Sequence, residues 1–94
     1  MKFEEAVERI IKPIEKGFVF DSHYVIDQLI KSYSDEYIVF VAKYADSSTP
    51  TLTAHQQIGH SINNCTNLVQ RLQYQSWSET IHCGGGECAL WEKK

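Results

Sequence analysis

The stretch Thr53–Tyr74 reads TAHQQIGHSINNCTNLVQRLQY, and the way it folds decides what kind of domain the chain builds. Thr53 followed three residues later by Gln56 has the spacing of a capping box, in which two side chains satisfy orphan backbone donors of a first helical turn. A helix is therefore expected to start at Thr53. Ile58 and Ile62 lie on one face of it, and Gly59 between them removes a side chain where a second helix could approach closely. Asn63 and Asn64 tolerate the left-handed conformation that ends a helix, so a break is predicted there. Thr66 then caps a second expected helix, residues 66–75, with Val69 and Leu72 on its apolar face beside Cys65 and Leu68. Its other face carries Asn67, Gln70, Arg71, Gln73 and Tyr74. One continuous amphipathic helix from Ala54 to Gln75 is the alternative, because Ile58, Ile62, Cys65, Val69 and Leu72 keep nearly helical spacing across the break. The broken form, with two helices meeting at Asn63 and Asn64, is the expectation.

Two short helices with a small residue in the first and an amide-rich second helix resemble the helix-turn-helix of DNA-binding proteins. The resemblance is carried by Ile58, Gly59, Ile62, Asn63, Thr66, Val69 and Leu72. It departs at Asn64, where the family usually has an apolar residue, and at Asn63, where glycine is commoner.

Working outward, Phe3, Ala6, Val7, Ile10, Ile11 and Ile14 have the spacing of an amphipathic helix that Pro13 ends or kinks and Gly17 closes. Phe18, Val19 and Phe20 form a short apolar run suited to a brief strand. Asp21 or Ser22 caps a helix running to about Tyr33 that buries Val25, Ile26, Leu29, Ile30 and Tyr33. Ser34 with Asp35 and Glu36 gives another start signal. The YIVFVAKYA that follows has strand propensity, yet Tyr37, Phe40, Val41, Tyr44 and Ala45 keep helical spacing, and the expectation is a central, most buried helix. Residues 46–52, DSSTPTL, read as a solvated loop.

The C-terminal WSETIHCGGGECALWE reads as a β-hairpin. A two-residue turn at Gly85 and Gly86 sets Cys83 opposite Cys88, Ile81 opposite Leu90, Thr80 opposite Trp91 and Glu79 opposite Glu92. The whole order, helices followed by a helix-turn-helix and a hairpin, resembles a winged-helix domain. That resemblance implies a mainly α fold with a C-terminal β-hairpin (α+β), a single domain over residues 1–94, with the run at Phe18–Phe20 pairing with the hairpin.

Ninety-four residues suffice for one core without metal or disulfide support. With 43% hydrophobic and 22% charged residues, composition favours a globular chain. The start MKFEEAVERI is acidic and amphipathic, unlike a targeting peptide, and no apolar run is long enough to span a bilayer, so a cytoplasmic protein with no membrane partner is expected. Net charge is −3, but its distribution says more: Ser47–Ser78 contains no Asp or Glu, and its only formal charge is Arg71. A surface facing phosphates requires such a window, and a neutral protein interface is served by it equally well.

Catalytic and metal chemistry find little support. Cys83, Cys88 and His82 have no second ligand pair nearby, and strand alternation sets His82 opposite both cysteines. His55 and His60 are separated by about 140° around a helix. Cys65 continues an apolar stripe, so no active site and no cofactor are expected; packed thiols are the expectation for Cys83 and Cys88, with a cross-strand disulfide between them the alternative. The functional expectation implied by the resemblance is DNA binding, as in a transcriptional regulator, through helix 66–75. Its reading residues would be Thr66, Asn67, Gln70, Arg71 and Gln73, because amides pair with adenine edges and arginine with guanine. A homodimer is expected, since one arginine provides few phosphate contacts. The alternative is a winged-helix module that binds a protein partner without DNA, drawn from the acidic net charge, from Glu79, Glu87 and Glu92 on the hairpin, and from Tyr74, Trp77 and Trp91.

Overall fold

A computed structural model describes residues 1–79 and 85–94, with side-chain surroundings for residues 1–73 and 89–94. The first helix, α1 (Phe3–Ile11), buries Phe3, Ala6, Val7, Ile10 and Ile11 along one stripe. Glu4 and Glu5 in its first turn and Arg9 in its last suit the helix dipole. The chain then turns at Gly17, whose φ of +89° is a conformation that side chains disfavour. There the Gly17 N–H donates to the Lys93 carbonyl and the Lys93 N–H to the Phe18 carbonyl, each at 2.8 Å. This exchange starts strand β1 (Val19–Asp21), and its pairing with the C-terminal strand meets the expectation for the Phe18–Phe20 run.

Asp21 ends β1 and caps α2 (Ser22–Ser32) by accepting from the Tyr24 N–H at 2.8 Å. Val25, Ile26 and Leu29 of α2 are buried, with Ile30 and Tyr33 packed partly against them. Helix α3 (Ser34–Ala42) forms where the start signal places it, but it is not the buried central helix. Of its residues only Phe40 is buried, stacked on Phe3 with ring centroids 3.9 Å apart, while Ile38 and Val39 are 63% and 65% exposed. Apolar content on every side of a helix forces some of it outward when only one face meets the core.

Helix α4 (Pro50–Asn63) begins inside the expected loop, with proline in its first turn, where the missing N–H costs nothing. The Thr53 N–H already donates to the Thr49 carbonyl, so Thr53 is not the cap. The break falls at Asn63 and Asn64 as expected, although Asn64 is right-handed (φ −72°) rather than left-handed. Beyond it helix 66–75 does not form. Turns centred on Cys65 lead into strand β2 (Val69–Glu79), which pairs antiparallel with β3 (Gly85–Lys93). The sequence there serves either geometry, and the ladder to β3 satisfies its backbone groups while burying Val69.

The sheet order is β1-β3-β2, with β3 central. Its register corrects the expected hairpin: Gly85 and Gly86 pair with Glu79 and Ser78, and Cys88 pairs with Ser76. Leu90 pairs with Asp21 of β1, and Trp91 lies between Phe20 and Arg71. Glu92 pairs with Val19 and Gln70 rather than with Glu79. A register shift between Arg71 and Gln75 sets extra β2 residues against Leu90. Thr80, Ile81, His82 and Cys83 lie outside the described residues.

The core joins α1, α2 and α4 to the inner face of the sheet, with Trp91, Ile11, Ile26, Leu29, Ile58 and Ile62 among its fully buried side chains. Each contributes roughly 1.5–3 kcal/mol of burial. Lys93, 9% exposed, keeps its ammonium satisfied by the carbonyls of Ile14 at 3.0 Å and Lys12 at 3.3 Å, which fastens β3 to the end of α1. Among the described residues no helix is long and apolar enough to cross a membrane.

Candidate nucleic-acid interface

The apolar stripe of α4, Ala54, Ile58 and Ile62, is fully buried and turns the opposite face outward. Gln56, Gln57 and His60 are exposed there, at spacings that place them side by side on one face. No Asp, Glu, Lys or Arg occurs from Pro50 to Asn63, so the face is neutral and rich in amide donors and acceptors. His55 points elsewhere: its Nε2 and the Tyr37 hydroxyl share a hydrogen bond of 2.8 Å that ties α4 to α3. Burial raises the Tyr37 hydroxyl above its ordinary pKa. At the start of α4, Thr53 Oγ1 lies 3.0 Å from Ser47 Oγ, which holds the preceding loop.

The five residues expected to read DNA from one helix are all exposed, but they are not on a helix. Thr66 and Asn67 occupy the turn between α4 and β2. Gln70 and Arg71 are neighbours on β2, so their side chains leave opposite faces of the sheet. Arg71 follows the buried Val69 face and lies over the Trp91 ring, 5.5 Å from its centroid. Gln73 falls within the register shift. The face that a helix would have gathered is therefore divided among a turn and two sides of a strand.

What local reasoning missed is Gln56, Gln57 and His60, although the acid-free window already pointed to the segment containing them. Lys94 is a second omission, because no local signal places it. Its backbone N–H donates to the Leu68 carbonyl at 2.9 Å and its ammonium to the Thr66 carbonyl at 2.7 Å, which brings a cation to the α4–β2 turn.

The aromatic surface expected of a protein-binding module loses Trp91, which is fully buried, while the side chains of Tyr74 and Trp77 lie outside the described set. Cys65 is partly buried, donates to the Ser61 carbonyl at 3.5 Å, and has its thiol pKa raised by burial and then by Glu8. A raised thiol is a poor nucleophile at neutral pH. Among the described residues no three His, Cys, Asp or Glu side chains group as metal ligands. Comparison with known proteins gives no family model, no curated protein and no solved structure that matches the chain.

Proposed function

We propose that the chain is a winged-helix DNA-binding domain in which α4, rather than residues 66–75, enters the major groove. The observation that carries this reading is the exposed face of Gln56, Gln57 and His60 on a helix without formal charge that runs directly into the β2–β3 pair. The helix next before the hairpin takes the reader role, and amides at that position have the donor and acceptor pairs that match adenine. Arg71 and Lys94 supply the nearby positive charge for phosphates. A surface with so few cations binds with a shallow salt dependence, a log–log slope of about −2 per protomer at roughly −0.9 per phosphate contact.

Selection from a random-sequence duplex pool, at low and at physiological salt, tests the proposal. Enrichment of one motif that the double variant Gln56→Ala, His60→Ala no longer selects, with its thermal transition unchanged, supports it. Enrichment that survives this variant but is lost in Arg71→Ala places the reading on β2 and overturns the role of α4. No binding even at low salt overturns the proposal.

A further inference from the structure

Helix α3 gives little to the core and shows solvent a face that is apolar in the middle and charged at its ends. Asp35, Ile38, Val39, Ala42 and Lys43 are all exposed. At about 100° per residue they fall on one side of the helix axis. Asp35 lies in the first turn and Lys43 at the C-cap, each four residues from Val39. Lys43 is held in place over the Phe40 ring, 5.4 Å from its centroid. Val39 also lines a cleft of about 400 Å³ with Met1 and Phe3, and the cleft is bordered by the opposite charges of Lys2 and Lys43 and of Glu4, Asp35 and Glu36.

From this symmetry of charge about an apolar centre we infer that α3 is a self-association face, and that its occupant is a second copy of this chain packed antiparallel about a two-fold axis at Val39. An axis at Val39 sets Asp35 of each copy level with Lys43 of the other, because the two residues lie four positions to either side of it. Ile38 and Val39 then cover each other across the axis, and Glu36 falls opposite Ala42 rather than opposite another acid. The helix dipoles run antiparallel, so each N-terminus meets its partner's C-terminus. An isologous contact of this kind closes at two copies and does not grow into a filament.

The face is small. A helix of this length spans about 13 Å, and it covers less than the roughly 800 Å² per partner of a standard stable interface. The dimer is therefore weak, and its population rises with protein concentration.

Sedimentation equilibrium of the full chain without DNA, from about 5 µM to 1 mM, reads the association directly. The expected result is a monomer–dimer equilibrium that Val39→Glu abolishes, with an unchanged circular dichroism spectrum. Asp35→Lys and Lys43→Asp each weaken self-association at least fivefold. An equimolar mixture of these two variants associates more tightly than either variant alone, since positions 35 and 43 are again opposite in charge across the axis. A monomer throughout the range overturns the inference, as does a dimer indifferent to Val39→Glu. A mixture that associates no better than its components overturns the antiparallel two-fold arrangement.

Discussion

The indole Nε1 of Trp91, a fully buried residue of the central strand, donates to Oδ1 of Asn63 at the last position of α4, with a donor–acceptor distance of 2.8 Å. One hydrogen bond thus joins the C-terminal end of the candidate reader helix to the middle of the sheet. Asn63 ends the helix and also supplies the partner that a buried tryptophan requires. Asn63→Ala leaves the indole N–H without an acceptor and is expected to lower stability by about 1–3 kcal/mol. Asn63→Asp keeps an acceptor and should stay close to the native chain at neutral pH. Urea unfolding of both variants measures the difference, and equal midpoints would refute the role given to this bond.

Gly17 links α1 to β1 at a positive φ, and a Cβ built there meets nothing within 4 Å, so backbone strain alone sets the cost of a side chain. Gly17→Ala is expected to destabilise by about 1–2 kcal/mol. Gly59 sits mid-helix with open space around it, and Gly59→Ala should stabilise by roughly 0.5–1 kcal/mol. Thermal unfolding should show opposite signs for the two substitutions.

Arg71 lies over the Trp91 ring, whereas Gln70 leaves the other face of β2. Arg71→Ala should therefore cost about 0.5–1 kcal/mol through the lost cation–π contact. Gln70→Ala should leave stability within experimental error. Were residues 66–75 helical, neither change would be felt, so chemical denaturation of the pair distinguishes strand from helix.

The Tyr37 hydroxyl and the Cys65 thiol both titrate above their ordinary values because burial disfavours their anions. In the unfolded chain the thiol ionises near pH 8.5 and the phenol near pH 10, roughly. Below those values the contribution of each group is fully present. As pH rises toward the folded values the unfolded state has lost more protons, so stability falls. Unfolding free energy is expected to decline above about pH 8.5 and more steeply above about pH 10. Tyr37→Phe should flatten the upper part of the curve. An unchanged slope in that variant would show that Tyr37 ionises equally in both states.

Elements whose signals are local are legible in the order of residues alone. The stripe of Phe3, Ala6, Val7, Ile10 and Ile11 defines α1 and its buried face, Asp21 caps α2, and the asparagine pair ends α4 at Asn63. The acid-free window from Ser47 to Ser78 was legible too, and it marks the candidate surface before any fold is known. Each of these rests on contacts within one or two turns of chain. That Val69–Glu79 is a strand depends on distant chain, because its helical and extended patterns are locally equivalent and the choice is made by hydrogen bonds to Gly85–Lys93. The same long-range ladder moved Gly85 and Gly86 into β3, joined Trp91 to Asn63, and brought Lys94 to Thr66. It likewise decided that α3, the most apolar of the helices, keeps Ile38 and Val39 in solvent, since burial depends on which faces the neighbouring elements occupy rather than on the composition of the helix itself.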